Sequence, residues 1–300
     1  MIAGTNGSTD LRSLGRVGAF VANLSRFPVQ ETRRLATHLE SMGYRSLSFG
    51  ESLGREAFTQ AAVLLDSTTE LVVATGIASI YGRDPWAMAN AARTLSEAFP
   101  GRFVLGMGVS HATLVNRRGH SYTAPVAAMR AYLGAMSEAP WALPVPPNPP
   151  VVLAALRPRM LEVVRDAADG AQPYFMPVEH TRAARAIIGD HRWLSPVLSF
   201  VAAVDNNAAR ERARIHMRIF LKMANYSSGL SWLGWPQAEL TDAGSDALLD
   251  AIVITRGTDD ARDRLDEHIQ AGADHVQIEV IADTFDDLMY GYQALARRLF

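Results

Sequence analysis

The residues best able to do chemistry fall in a few short stretches. The longest is GMGVSHATLVNRRGHSYTA, residues 106–124. It holds His111 and His120 beside Arg117, Arg118 and Tyr122. Histidine ordinarily titrates near neutral pH, so either ring could move a proton. The arginines could hold an acidic ligand, and a solvated loop is the competing reading. Gly106 and Gly108 lack a Cβ and so permit close backbone approach to a flat ring or a phosphate. Ordinary turn geometry would explain them as well. Glu51 and Ser52, in FGESLGRE, set a carboxylate after an apolar run. It could accept a proton, hold a ligand N–H or cap a helix. In ALRPRM, residues 155–160, Leu156 and Arg157 precede a helix start marked by Pro158. A helix N-terminus attracts anions, and Arg157 or Arg159 would add charge. Two surface arginines are the plainer alternative.

One further stretch is unusual. VVATGIASIYGRDP, residues 72–85, opens as a buried strand and closes as a helix start, with Asp84 as N-cap and Pro85 behind it. The connection from Gly76 to Arg83 is longer and more apolar than most strand-to-helix loops. A P-loop, an H-E-x-x-H zinc motif and a G-x-S-x-G elbow are all absent, and the histidines show no metal spacing. No metal site is expected.

These stretches share one position: each follows a short apolar run and precedes an amphipathic helix. The expected strands are Val17–Val21, Ser46–Phe49, Leu71–Thr75, Phe103–Gly106, Val151–Ala154, Gly170–Phe175, Val197–Val204 and His275–Ile281. The helix over 29–42 carries Leu35, Leu39 and Met42 at helical spacing and stops at Gly43. The helix from Pro85 carries Met88, Ala92, Leu95 and Phe99 and stops at Pro100-Gly101. Eight strand–helix units in 300 residues predict a (β/α)8 barrel, with long insertions after strands four and seven. An open doubly wound sheet is second, but its G-x-G-x-x-G fingerprint is missing after the first strand. Residues 1–14 read as a disordered tail, and 15–300 as one domain. APWALPVPPNPP, residues 139–150, has six prolines and reads as an extended surface segment rather than a linker, because the strand–helix rhythm resumes after it. ANYSSGLSWLGWP, residues 224–236, reads as irregular.

Composition narrows the function. The chain is 48% hydrophobic and 20% charged, with a formal net charge of -2 and no basic patch, so nucleic acid and anionic membranes are not expected partners. With no cysteine, disulfides, thiol nucleophiles and thiolate-bound metals are excluded. No signal peptide or spanning run is evident, and a cytoplasmic location is expected.

GYRSLSFGES, then TELVVATGIASIYGRDPWAMANAARTLSEAFPGRFVLGMGVSH, then AGADHVQIEV resembles the luciferase-like flavin and deazaflavin oxidoreductases, over about Gly15 to Ile281. The likeness is nearest to the branch using the deazaflavin coenzyme F420. It implies a (β/α) barrel, a homodimer, a small-molecule substrate and a non-proline cis peptide at Gly76–Ile77 backing the deazaflavin ring. It further implies that Ser79 bonds the ring edge, that Glu51 lies at the ring's polar end, that Gly106, Gly108 and Val109 border the coenzyme, and that Leu156 and Arg157 hold its phosphate. Two departures stand out. Ser52 replaces a catalytic histidine of the family's sugar-phosphate dehydrogenases, and Val109 replaces their glutamate. The expected activity is hydride transfer between the coenzyme and a small organic substrate, with His111, then His120, as the proton-transfer residue. An FMN-dependent monooxygenase and a non-catalytic deazaflavin-binding protein are the rivals.

Overall fold

The structure, a computed structural model, describes residues 8–142, 144, 146–202 and 205–300. In chain order the elements are β1 (Val17–Val21), α1 (Val29–Ser41), β2 (Ser46–Phe49), α2 (Ala57–Asp66), β3 (Val72–Thr75), β4 (Ala78–Ser79), α3 (Pro85–Ala98), β5 (Phe103–Gly108), α4 (Ala112–Arg117), α5 (Pro125–Ser137), β6 (Val151–Leu153), α6 (Pro158–Ala167), β7 (Gly170–Ala171), α7 (Val178–Ile188), β8 (Trp193–Leu194), β9 (Val197–Val201), α8 (Asn206–Leu221), α9 (Ala224–Trp232), α10 (Asp246–Ile252), β10 (Val253–Ile254), α11 (Thr258–Gln270), β11 (Val276–Ile281) and α12 (Phe285–Leu299).

All strand pairs are parallel, as apolar strands joined by crossover helices require. The sheet runs β11-β1-β2-β3-β5-β6-β7-β8, and β9 returns to β11. Pro196 divides β8 from β9, so the two form one broken stave that pairs with β7 at its start and β11 at its end. That closes an eight-stave α/β barrel, the TIM-barrel architecture expected from the sequence. Strands such as VGAFV are buried at every position, because helices cover the outside and side chains fill the inside.

Several local expectations need correction. β4 and β10 are additional short strands, pairing β5 and β9. Strand six is shorter than Gly170–Phe175: only Gly170–Ala171 is ladder, with one further bridge at Tyr174. Pro173 offers no N–H to a ladder. The expected end of strand seven at Val204 lies outside the described residues, and β9 ends at Val201. The stretch read as irregular is helical as α9; its Gly and Ser content argues against helix, but burial of Tyr226, Gly229 and Leu230 overrides propensity. Residues 1–7 of the expected tail also lie outside the described residues. Residues 8–14 are ordered: Thr9 Oγ1 donates to Phe103 O at 2.8 Å, and Leu14 is buried at the end of a 3-10 turn capped by Asp10. Arg93 holds Ala139 and Asn148 of the segment before β6, donating to Asn148 Oδ1 at 3.1 Å and to Ala139 O at 2.9 Å.

Candidate functional site

At the carboxyl ends of the staves lies a cavity of about 1250 Å³. Its strand-side wall includes Phe20, Gly76, Ile77, Gln172 and Tyr174. The loop after β5 supplies Val109, His111 and Leu114, and the end of α8 with the start of α9 supplies Phe220, Met223 and Tyr226. Arg130, Arg157 and Arg159 line one end, with the two latter side chains exposed. The space is mostly apolar with a cationic end, as small-molecule sites often are.

The connection after β3 is built as a bulge. Ala74 pairs with Val104, and Ala78 pairs with Met107. Four steps on one strand therefore match three on its neighbour. The Gly76–Ile77 peptide bond between them is cis. Two glycines make the bulge possible. A Cβ on Gly106 would lie 1.8 Å from Thr75 O, and one on Gly108 would lie 2.7 Å from Ile77 Cγ1. Gly106 and Gly108 thus seat the bulge against β5 and are not in the cavity wall. The close approach they permit is to this chain's own backbone and side chains.

Glu51 reaches the cavity wall, yet its carboxylate is largely engaged. Oε2 accepts from Ser79 N–H at 2.9 Å and from Arg83 Nη1 at 3.1 Å; Oε1 accepts from Ala57 N–H at 3.2 Å and from Arg83 Nη2. Arg83 also pairs with Glu56 at 2.9 Å and lies over the Phe58 ring. Ser79 is buried, its hydroxyl accepts from Tyr81 N–H at 3.3 Å, and it stands outside the wall.

The two histidines of the long loop part company. His111 lies in the wall at the start of α4, with its ring centroid 5.2 Å from that of Tyr226. Burial lowers its pKa, so the neutral ring is favoured. Asn225 Nδ2 sits 3.3 Å from His111 Nδ1, 3.1 Å from Ser110 O and 3.2 Å from Tyr122 Oη. The Asn225 amide has two protons to share among these three acceptors. The same amide ties α9 to the loop after β5, where Ser110 holds a left-handed φ of 58°. His120 is exposed, packs against Tyr81 at 5.8 Å and does not line the cavity.

Leu156 and Arg157 line the cavity at the N-terminus of α6. The first turn of a helix leaves N–H groups without intrahelical partners, and Arg130, Arg157 and Arg159 add positive charge beside them. Behind this loop His180 Nε2 donates to Leu156 O at 3.0 Å. Burial lowers the His180 pKa to about 4, which keeps the imidazole neutral.

Sequence reasoning passed over the group under the strand-side wall. Tyr174 Oη donates to Glu279 Oε2 at 2.8 Å, and Ser199 Oγ donates to the same oxygen at 3.1 Å. Glu279 lies on β11, within AGADHVQIEV, at the spacing His275, Gln277, Glu279. Three polar residues at alternate positions of a strand put them on one face, and all three are buried. That alternation was the available signal.

The arrangement can bind a flat, phosphate-bearing coenzyme together with a small substrate. The volume exceeds what one small molecule needs, the walls are apolar, and the anion-ready end is made of N–H donors and arginines. Comparison with known proteins identifies the family. A family model described as luciferase-like monooxygenase matches residues 9–275. A Mycobacterium tuberculosis protein bearing the name of a coenzyme F420-dependent oxidoreductase is 32% identical over 107 residues, 35% of this chain and 31% of that protein. The aligned stretch thus spans about a third of that relative. Among solved structures, an F420-dependent secondary alcohol dehydrogenase in complex with an F420-acetone adduct superposes with TM-score 0.78 at 12% identity, over 95% of this chain and 98% of that one. The coenzyme F420-dependent tetrahydromethanopterin reductase of Methanopyrus kandleri gives 0.73 at 14%, over 95% and 100%. The FMN complex of the oxygenating constituent of 3,6-diketocamphane monooxygenase from Pseudomonas putida gives 0.73 at 13%, over 95% and 97%. At these identities the structures speak to the fold, whereas the family model spans most of the sequence: this chain belongs to the luciferase-like monooxygenase family.

Proposed function

We propose that this protein is a coenzyme F420-dependent oxidoreductase that transfers a hydride between the deazaflavin and a small, largely apolar organic substrate. The observation that carries this reading is the single cavity volume joining an apolar chamber to the arginine-flanked N-terminus of α6. The M. tuberculosis relative supports the deazaflavin over FMN. When bound, the coenzyme supplies or takes the hydride; the protein supplies position, exclusion of water and proton management. Leu156, Arg157 and Arg159 hold the phosphate. Gly76, Ile77 and Val109 flank the ring, with Ser79, Gly106 and Gly108 supporting that wall from behind. Glu51, clamped by Arg83, holds the loop at the ring's polar end. His111 presents its neutral ring to a substrate oxygen. Leu114, Tyr122, Phe220 and Tyr226 favour an apolar substrate body. The barrel acts as a homodimer.

A fluorescence titration of the purified protein with F420 and with FMN tests this. F420 should bind at micromolar or tighter concentration, and R157A/R159A should weaken it at least tenfold. Preference for FMN would place the protein with the monooxygenases. Binding of F420 without substrate-dependent reoxidation would make it a binding protein. Binding of neither would overturn the reading.

A further inference from the structure

The polar group beneath the Tyr174 wall links the segment after β7, β9, β11 and, through His216, α8. Its composition is unusual for a barrel interior, which branched apolar side chains ordinarily fill. Glu279 is buried, and the one cation whose field is felt there is Arg26, whose guanidinium is itself bonded to Ala282 O. The groups that face the carboxyl are hydroxyls and a ring: Tyr174 from the segment after β7, Ser199 from β9, and His216 from α8, with Nε2 at 3.8 Å. The phenols of Tyr226 and Tyr292 lie within its field. Burial without an ion-paired guanidinium raises the Glu279 pKa to about 7 and lowers that of His216 to about 3. The ring is therefore neutral near pH 7, and the contact is not an ion pair.

The hydrogen-bond geometry serves both protonation states with the heavy atoms unmoved. With Glu279 ionised, Tyr174 and Ser199 both donate to Oε2. With Glu279 protonated, Oε2 donates to Tyr174 Oη over the same 2.8 Å, and Tyr174 turns its own proton to His216 Nε2 at 3.3 Å. Neutral imidazole nitrogen accepts that proton without taking it. A buried carboxyl is ordinarily left with an unsatisfied donor or acceptor when it titrates. Here it is not. One member of the group, Tyr174, is in the cavity wall.

We propose that Tyr174 exchanges a proton with the substrate and that Glu279 stores that proton beneath it. The proposal rests on the oxidoreductase reading and names the substrate class: a carbonyl compound or the corresponding alcohol. In the reducing direction a bound reduced deazaflavin would supply the hydride to the carbonyl carbon. The C=O π pair moves to oxygen, and oxygen takes the Tyr174 proton. Tyr174 is restored by the Glu279 proton, and the resulting carboxylate takes up one proton from bulk solvent. In the oxidising direction each transfer reverses. His111 orients the substrate oxygen, and Tyr174 is the residue that moves the proton.

The first test needs no coenzyme. Infrared spectra of the full-length protein, recorded from pH 5 to pH 9, should show a protonated-carboxyl stretch that disappears with a midpoint near pH 7. Glu279→Gln should abolish it, and Tyr174→Phe should shift its frequency. No titrating carboxyl band in this range, or a band that survives in E279Q, overturns the store. The second test uses reduced F420 with acetone, cyclohexanone and benzaldehyde. Tyr174→Phe should bind F420 within twofold of wild type and lose at least a hundredfold in turnover; E279Q should lose about tenfold and its pH dependence near 7. Unchanged turnover in Y174F overturns the exchange role. Failure of the wild type to oxidise the coenzyme with any of the three overturns the carbonyl class. Failure to bind F420 at all falls on the coenzyme reading and leaves the infrared result to stand or fall separately.

Discussion

Glu51 and Glu279 are both buried carboxyl groups beside one cavity, and they are built in opposite ways. Glu51 meets a guanidinium on both oxygens and accepts two backbone N–H bonds. These four bonds fix its position. Glu279 meets two hydroxyls and a neutral ring. Its surroundings tolerate either state. A carboxyl in the first setting ties loops together; one in the second can hold and release a proton. The sequence offered no such distinction, since each is a lone Glu near a strand end.

The largest test of this contrast is Arg83→Ala. It strands Glu51 and removes a partner of Glu56 and Phe58, so unfolding should become easier by about 3–5 kcal/mol, read by urea denaturation at pH 7. A loss under 1 kcal/mol would deny the strut.

Next is the pH dependence of Glu279→Gln. In the folded chain Glu279 titrates near 7, above its ordinary value of 4.5. A raised carboxyl means the folded state holds more protons, so this group's contribution is complete below about pH 4.5 and is lost as pH rises through 7. The variant cannot titrate. Relative to wild type it should gain about 3 kcal/mol between pH 4.5 and pH 8. A parallel pair of stability–pH curves would show that Glu279 does not titrate in this range.

His180→Ala removes the donor to Leu156 O and should weaken coenzyme binding about tenfold. The folded-state imidazole titrates near 4, below its ordinary 6.5, so its stabilising contribution is present above pH 6.5 and lost as pH falls through 4. The binding defect should therefore be flat from pH 7 to pH 8.5. The smallest effect belongs to His120→Ala. Exposed and outside the wall, it should leave F420 affinity and turnover within twofold, whereas His111→Ala should cut turnover at least tenfold. Equal effects would show that the loop acts as a whole.

Much of the barrel was legible because its staves are near-continuous apolar runs. VGAFV, SLSF and VVAT read as buried strands, and Asp84-Pro85 and Gly43 mark helix ends by local chemistry alone. β10 and α9 were not legible. Two residues carry no periodicity, and α9 is held by burial against local preference. The positions of His111, Leu156 and Arg157 at the cavity follow the strand-end rule. The meaning of Gly106 and Gly108 did not, because the atoms that crowd them, Thr75 O and Ile77 Cγ1, come from β3 and its bulge.

By itself the sequence determined the strand–helix alternation, the places where helices start and stop, and the loops that carry reactive residues. Those properties depend on residues within a turn or two of one another. The tertiary structure decided which reactive residue is free to act. It turned Glu51 onto Arg83, took His120 out to solvent and set Glu279 among hydroxyls under Tyr174. Charge state in a folded chain depends on burial and on partners far away along the sequence, 105 residues for Tyr174 and Glu279.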